Sequence, residues 1–444
     1  MVVGIVIGSG VFFKAQDVLD ETHGNSTLGV LAWIIGGGVM IALATTFSIM
    51  ATKYAKVNGI VDYAEATCGK TYAYYIGWFL SAVYYPAMTS VLAWVSARYT
   101  VVLIYGVTAI SDKALFGPEC ITIAAFYLIL MYFINSIAPK FAGSLQVSMT
   151  VAKLIPIVFI ALVGTVIGLV NGTMVENFTA VPGTPAEDAG IGEMFAAVCC
   201  TAFAYEGWII ATSINAEIKD AKKNLPIALM VGTGIIMAAY VLYYIGVLGL
   251  SKTDVLMAEG TTVAFKYFGT AASAIISFLI IVSCLGTLNG LMLGCTRGVY
   301  SLAARGEGLS PDTFRQIDDK TNMPHNSAML ALLLCGFWFL YFIGGQFFGW
   351  FGKFAFDSSE LPIITVYPMY IPIIITFMKK EKDLPPARRF LIPSLGILGC
   401  LVMVAASIFR HGEDIPYYLI VFAAFMAVGA LAEYFNRRRE KSIS

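Results

Sequence analysis

Two short polar segments interrupt hydrophobic stretches that are each long enough to cross a bilayer. The first is Gly8–Gly10, and the second, about 195 residues later, is Phe203–Gly207. An interrupted helix exposes backbone N–H and C=O groups that lipid cannot satisfy, so these groups must face a ligand, an ion or trapped water. Interruptions at matching positions of two halves are typical of a transporter's substrate site.

The first segment offers donors and acceptors for both ends of an α-amino acid. Gly8, Ser9 and Gly10 carry little side chain, and N–H groups at the start of the following half-helix favour an anion such as a carboxylate. The carbonyls of Val6 and Ile7 end the preceding half-helix and suit an ammonium group. Together they predict a site for a zwitterion, although Gly-x-Gly segments are also typical of close contacts between membrane helices.

The second segment places an ionisable residue within the membrane. A charged side chain at the centre of a span costs about 2.5–3.5 kcal/mol on insertion scales, so Glu206 is a functional candidate. We expect Phe203 to act as an aromatic gate, although ordinary packing explains a phenylalanine there equally well. Ala204 and Gly207 complete the predicted binding segment.

Lys153 lies in the middle of a predicted span, with no acidic residue within two turns on the same helix. We expect its partners to be carbonyls of the first interrupted helix and hydroxyls such as those of Ser283 and Thr287. Tyr240 either reaches Lys153 or packs with other aromatic residues. A fixed ammonium would hold unwound carbonyls as a bound sodium ion does, so transport would need no sodium. The alternative is a lysine whose ammonium snorkels to the interface.

The composition is that of an integral membrane protein. Of 444 residues, 58% are hydrophobic and 13% are charged, whereas soluble domains average about 25% charged residues. The formal net charge of zero gives no indication of nucleic acid or of acidic partners. We predict twelve spans of about 20 residues or more, at residues 2–20, 28–53, 71–104, 119–136, 143–170, 190–214, 224–250, 262–300, 325–346, 354–378, 390–410 and 415–436.

The distribution of basic residues predicts the orientation. With a cytoplasmic N-terminus, 20 of the 28 lysines and arginines fall in cytoplasmic segments, as the positive-inside rule requires. The predicted outer loops hold five, which are Lys14, Lys113, Lys252, Lys353 and Arg410. We therefore expect a plasma (inner) membrane protein with both termini in the cytoplasm.

The predicted spans repeat once along the chain. Shifting the first five by about 195 residues places them near spans six to ten. Because five is odd, the second set enters the membrane from the opposite side, which makes an inverted repeat. The predicted organisation is a first repeat at 1–170, a second at 190–378, spans 11 and 12 at 388–436, and a basic cytoplasmic tail at 437–444. The fold class is all-α, with broken helices in spans 1 and 6.

The side chains indicate neither an enzyme nor a metal site. The eight cysteines fall mostly in apolar spans without a C-x-x-C pair, which is typical of small buried hydrophobes. His23, His325 and His411 all lie near predicted loops. Since no nucleophile–base pair and no set of metal ligands is visible, we expect no cofactor and no metal.

The interrupted segments resemble the amino acid–polyamine–organocation superfamily and, within it, a bacterial member of the L-type amino acid transporter family. Similar segments follow one another along nearly the whole chain. They are Gly8–Phe12 for helix 1, Phe203–Trp208 for helix 6, Ser283–Gly290 for helix 8, and Asn215–Pro226, Arg297–Pro311 and Lys380–Pro393 for cytoplasmic segments.

The resemblance implies the five-plus-five inverted-repeat fold of sodium-coupled amino acid transporters, the LeuT-like fold, and sodium-independent exchange of L-amino acids. On the matching positions, the backbone of Ser9 and Gly10 would bind the carboxylate, and carbonyls around Val6 and Phe203 would bind the amine. Phe203 would gate the site, and Lys153 would replace sodium.

Two departures from the family pattern are visible. Lys14 and Ala15 occupy the stretch in which that family usually has a proline, so the substrate profile is open. Mammalian members pair with a glycoprotein heavy chain through an outer cysteine, which Cys120 does not clearly match. We therefore expect no obligatory protein partner.

These observations predict an exchanger of small neutral L-amino acids that works by alternating access. One alternative is a proton-coupled symporter in which Glu206 or Lys153 titrates, because a buried ionisable group shifts its pKa toward neutrality. An alternative of another class is a membrane sensor that binds amino acids without moving them. The sequence shows no soluble signalling domain, which disfavours the sensor, and an enzyme is least favoured.

Overall fold

The fold is known from a computed structural model that describes residues 7–8, 10–54, 58–106, 117–179, 188–209 and 221–443. Every regular element in these ranges is helical. The α-helices are α1 Gly10–Glu21, α2 Ser26–Lys53, α3 Ile60–Cys68, α4 Lys70–Phe79, α5 Tyr85–Tyr105, α6 Pro118–Ile137, α7 Pro139–Phe159, α8 Thr165–Asn171, α9 Thr173–Phe178, α10 Ile191–Tyr205, α11 Ala221–Leu250, α12 Thr253–Glu259, α13 Gly269–Ala304, α14 Pro311–Phe314, α15 His325–Phe348, α16 Glu360–Lys380, α17 Ile392–His411 and α18 Ile415–Ile443.

Nine segments of the described chain are long and apolar enough to cross a membrane. They cover ten of the predicted spans, 2 to 5 and 7 to 12. Spans 11 and 12 together form a single segment, Ala387–Arg439, which is why nine segments account for ten spans. The described parts of spans 1 and 6 are the shorter helices α1 and α10, of 12 and 15 residues. The protein is therefore a multi-pass membrane protein, and the count of twelve spans stays a prediction.

Large apolar side chains cover the outside of the helix bundle. Phe126 on α6, Leu169 on α8 and Phe278 on α13 are each more than half exposed. A soluble protein rarely exposes a contiguous apolar surface of this kind. These faces are suited to contact with lipid.

The described residues contain three π-helical turns, of which one, Ala387–Leu391, directly precedes α17 and two lie inside spans. Leu80–Tyr84 joins α4 to α5, and Ile160–Gly164 joins α7 to α8. A π turn inserts a residue into the helix and turns the following side chains, and it is frequent at functional sites. The first π turn ends at Tyr84, which reaches the pocket described below.

Glycines bring α11 close to the end of predicted span 5. Gly164 and Gly168 face Gly246 and Gly249, and a Cβ on Gly246 would overlap the carbonyl oxygen of Ile160. Small residues three or four positions apart allow helix backbones to approach closely in a membrane. The close approach fixes α11 beside the helix that carries Lys153.

The structure corrects several sequence-based boundaries and assignments. Predicted span 8 begins as a 3-10 helix at Thr261–Phe268, α16 begins at residue 360 rather than 354, and α18 continues through the predicted tail to Ile443. Lys14 and Arg410 do not lie in outer loops, because they belong to α1 and α17. Lys14 is buried and Arg410 is mostly buried, at 14% side-chain exposure, because carboxylates surround both.

The glycine contact predicts the effect of filling it. Gly246→Leu should force α11 away from predicted span 5 and lower the midpoint of thermal unfolding in detergent, since overpacking typically costs about 1–3 kcal/mol. Gly234→Leu is the matched control on the same helix, because no described atom lies within 4 Å of its added Cβ. Equal losses in the two variants, measured by size-exclusion chromatography after heating, would show that the close approach is unimportant.

Candidate functional site

The two interrupted segments meet in the structure. Helix α1 begins at Gly10 and α10 ends at Tyr205. A Cβ on Gly10 would overlap the backbone Cα of Ala204, so only glycine permits this contact. Glu206 is extended and Gly207 has a φ of 104°. Both elements therefore present helix-terminal backbone groups, which lack partners within their own helix, at one place.

A pocket opens between these helix ends. It contains about 510 Å³ of space free of atoms, including space open to solvent. Sequence reasoning identified Gly8, Gly10, Phe203, Ala204, Glu206, Gly207 and Thr287 in its wall, and missed Tyr84, Met88, Leu92, Gln146, Gly290 and Leu291. Gln146 and Gly290 lie beside residues that the sequence did single out, whereas nothing local distinguishes Tyr84, Met88 or Leu92. Val6 and Ser9 lie outside the described residues.

Glu206 is held by two tyrosines from different helices. Its carboxylate accepts a hydrogen bond from the hydroxyl of Tyr84 and another, at 2.9 Å, from the hydroxyl of Tyr367 on α16. Glu206 is 6% exposed, and a buried carboxylate without donors would be costly. The two hydroxyls therefore stabilise the carboxylate and link α10 to α5 and α16 at the pocket wall.

Lys153 is fully buried on α7 and reaches the segment that precedes α1. Its ammonium donates to Thr287 Oγ1 at 2.9 Å. The Thr287 hydroxyl lies 3.5 Å from the carbonyl oxygen of Ile7 and 3.2 Å from that of Ser283. Because a hydroxyl has one proton, it donates to one of these carbonyls at a time. The ammonium is thus coupled to the Ile7 carbonyl through a threonine.

This geometry corrects one predicted contact of Lys153. The Ser283 hydroxyl has no hydrogen-bond partner among the described residues, and only its backbone carbonyl joins the chain of contacts. Gly286 leaves the room that Lys153 needs, since a Cβ there would lie 2.9 Å from Lys153 Cε. The side chain of the lysine therefore crosses the surface of α13 at a glycine.

Tyr240 holds the same backbone from another direction. The backbone N–H of Gly8 donates a hydrogen bond to the hydroxyl oxygen of Tyr240. Its ring packs edge-on against Trp33 and tilted against Tyr205, with centroid distances of 5.7 and 5.3 Å. Tyr240 therefore packs in an aromatic cluster, which is the second of the two predicted possibilities, and its polar end contacts the interrupted segment. A contact with Lys153 stays a prediction.

An amide network supports the part of the wall formed by α7 and α13. Asn289 donates to Gln146 Oε1 at 3.3 Å and to the carbonyl of Ala142 at 3.1 Å. Asn135 on α6 donates to Asn289 Oδ1 at 2.9 Å. The network orients Gln146, whose side chain lines the pocket.

Phe203 forms the wall that faces the end of α1. It is 7% exposed and its ring packs edge-on against Phe13 at 6.3 Å. The ammonium of Lys14 lies 5.6 Å from the ring centroid, within reach of a cation–π contact. Phe203 is therefore placed between the pocket and the charged side chains around Lys14.

The sequence as a whole is similar to known proteins. The profile of the family described as amino acid permease matches residues 1–430. The chain belongs to the amino acid permease family. This permease is thus a member of the amino acid–polyamine–organocation superfamily, as its two interrupted segments indicated.

Two curated relatives and one solved structure illustrate the similarity. The serine/threonine exchanger SteT of Bacillus subtilis (strain 168) is 31% identical over 310 residues, which cover 69% of this permease and 66%, just under two thirds, of SteT. The human b(0,+)-type amino acid transporter 1 is 23% identical over 98% of this permease and 85% of its own length. The crystal structure of MhsT in complex with L-phenylalanine has a TM-score of 0.54 at 15% identity, covering 96% of this permease and 97% of that chain. The last comparison shows a shared LeuT-like fold.

The link between Lys153 and the Ile7 carbonyl predicts a specific loss. Thr287→Val should slow amino acid exchange by roughly tenfold or more, because hydrogen bonds to charged groups contribute about 1.5–3 kcal/mol. Thr296→Val is the control on the same helix, since the Thr296 hydroxyl donates to Met292 within α13. Initial rates in proteoliposomes decide the matter, and similar rates for the two variants would remove Thr287 from the mechanism.

Proposed function

We propose that this permease is a sodium-independent exchanger of small neutral L-amino acids that works by alternating access. The observation that carries the proposal is the buried ammonium of Lys153, coupled through Thr287 to the carbonyl of Ile7. A cation at this place would do the work of a bound metal ion, because it holds the Thr287 hydroxyl that lies within reach of the Ile7 carbonyl. A permanently tethered cation needs no sodium gradient.

The pocket wall suits a zwitterion with a small uncharged side chain. Backbone groups of Gly8 and Gly10, with those predicted for Val6 and Ser9, supply donors for a carboxylate and acceptors for an ammonium. Met88, Leu92 and Leu291 supply apolar surface, and among the described residues the lining includes no lysine or arginine. The name of the relative SteT, a serine/threonine exchanger, supports substrates of this size.

Contacts between predicted equivalent spans support the inverted repeat of residues 1–170 and 190–378. Spans 1 and 6 touch at Gly10 and Ala204, and spans 2 and 7 touch at Gly37 and Met237. Spans 3 and 8 touch at the residues Thr89 and Cys295, whose Oγ1 and Sγ atoms are 3.3 Å apart. Elements near a pseudo-two-fold axis contact their own equivalents, as expected for two inverted halves with broken helices in spans 1 and 6.

Phe203 is the proposed gate, and its support is positional. The ring lines the pocket on the side of α1 where Lys14 forms ion pairs with Asp17 and Glu360. Closing an active site with an apolar ring excludes water and strengthens the polar contacts inside. Rotation of this ring would open the pocket on that side.

The proposed setting is the plasma (inner) membrane, with both termini in the cytoplasm and no obligatory protein partner. The orientation rests on the excess of lysine and arginine in the segments assigned to the cytoplasm. Cys120 at the start of α6 is fully buried, so it is poorly placed for a disulfide with another chain.

Uptake into proteoliposomes distinguishes exchange from the alternative functions. Radiolabelled serine or alanine should accumulate in sodium-free buffer only when the vesicles contain unlabelled amino acid. Replacing choline with sodium outside should leave the initial rate unchanged, because Lys153 already supplies the cation.

Other outcomes point to the alternatives. Uptake into empty vesicles driven by a proton gradient would replace exchange with symport, for which Glu206 at the pocket wall is the available carboxylate. A requirement for sodium would overturn the role given to Lys153. Saturable binding without uptake under any gradient would indicate a sensor.

A further inference from the structure

Three side chains of metal-binding type meet away from the substrate pocket. Cys199 on α10, Glu360 at the start of α16 and His411 at the end of α17 place one ligand atom each within 4.8 Å of one another. Cys199 and Glu360 are 0% and 2% exposed, and the side chain of His411 is 10% exposed. Their positions are far apart in the sequence, which is why no spacing motif indicated them.

Two of these ligand atoms lack hydrogen-bond partners. Glu360 Oε2 and His411 Nε2 lie 3.7 Å apart, and neither has a partner among the described residues. Buried polar atoms are normally satisfied by protein or ordered water, so each such atom needs an explanation. The other oxygen, Glu360 Oε1, lies 3.0 Å from Lys14 Nζ and 3.6 Å from Arg410. The carboxylate is thereby oriented with Oε2 toward His411.

The side chains around these three residues carry more negative than positive charge, which favours binding of a divalent cation. The cluster contains two cations, Lys14 and Arg410, and its acidic side chains are Asp17, Glu21, Asp357 and Glu360. Two positive and four negative groups give a formal charge of −2 when His411 is neutral. Glu360 is buried and Asp17, Glu21 and Asp357 are partly exposed, and a divalent ion bound by Glu360, His411 and Cys199 would offset this excess of negative charge.

We propose that Cys199, Glu360 and His411 form a Zn²⁺ site, with water in the fourth position. One sulfur, one imidazole nitrogen and one carboxylate oxygen are a ligand set that Zn²⁺ accepts in tetrahedral geometry. Bond lengths of about 2.0–2.3 Å place two such ligands about 3.5 Å apart, close to the 3.7 Å between Glu360 and His411. Ca²⁺ and Mg²⁺ prefer oxygen ligands. Zn²⁺ binds the thiolate, so the Cys199 proton passes to solvent.

The site joins elements that alternating access must separate. Its ligands come from the middle of α10, the start of α16 and the end of α17, and Lys14 connects Glu360 to the ring of Phe203. In the proposed orientation this end of the molecule faces the outside. Bound Zn²⁺ would tie the three helices together and inhibit exchange from that side, and this consequence alone rests on the proposed function.

Metal binding is tested on the purified full-length permease, independently of transport. After incubation with Zn²⁺ and desalting, elemental analysis should give about one Zn²⁺ per chain. Co²⁺ should produce a thiolate-to-metal charge-transfer absorption. Cys199→Ser and His411→Gln should each reduce bound Zn²⁺ at least tenfold and abolish the Co²⁺ band. Cys200→Ser is the matched control, because this neighbouring buried cysteine contacts Arg410 and lies outside the ligand set.

Folding is monitored in the same samples by size-exclusion chromatography and by the thermal unfolding midpoint. Zn²⁺ should raise the midpoint of the wild type and of Cys200→Ser, and leave that of Cys199→Ser unchanged. Cys199→Ala provides a second variant if the serine does not fold. Far less than one Zn²⁺ per wild-type chain, or equal binding by wild type and both ligand variants, would overturn the site. Zn²⁺ binding without inhibition of exchange would retain the site and exclude its effect on transport.

Discussion

Backbone groups that lipid cannot satisfy are the constraint on which the rest of this structure depends. Where α1 begins and α10 ends, carbonyls and N–H groups lose their helical partners, and the membrane offers no water to replace them. The Ile7 carbonyl is within hydrogen-bond distance of the Thr287 hydroxyl, which in turn accepts a hydrogen bond from the ammonium of Lys153. The backbone N–H of Gly8 hydrogen-bonds to the hydroxyl oxygen of Tyr240. Gly8 and Gly10 line the pocket beside these contacts, and we propose that their remaining backbone groups bind the ligand.

The helix packing brings these polar side chains to one place. Glycines at positions 10, 246 and 286 let α1 approach α10, let α11 approach predicted span 5, and let Lys153 cross α13. The π turn that ends at Tyr84 directs a hydroxyl to Glu206. Each of these close approaches depends on the absence of a side chain or the insertion of one residue. The site is thus supported mainly by contacts between helices that are distant in the sequence.

The sequence predicted those features that are energetically unfavourable in a membrane helix whatever packs around them. A lysine in mid-membrane and glycines inside a span are recognisable without a structure, and Lys153 and Thr287 do meet as predicted. The sequence did not predict the contacts that depend on pairing between residues far apart in the chain. Tyr84 and Tyr367 have no local pattern that marks them as partners of Glu206, and Ser283 was indistinguishable from Thr287. Lys14 and Arg410 were assigned to loops because an isolated charge favours water; mutual pairing with carboxylates is what allows their burial.

The measurement that tests the role of Lys153 most directly is equilibrium binding of radiolabelled serine or alanine to purified protein in sodium-free buffer. Lys153→Ala should weaken binding by roughly tenfold or more, since hydrogen bonds to charged groups contribute about 1.5–3 kcal/mol. Lys266→Ala should bind as the wild type does, because Lys266 pairs with Glu259 at the surface. Wild-type affinity in a folded Lys153→Ala protein would contradict the view that this ammonium organises the site.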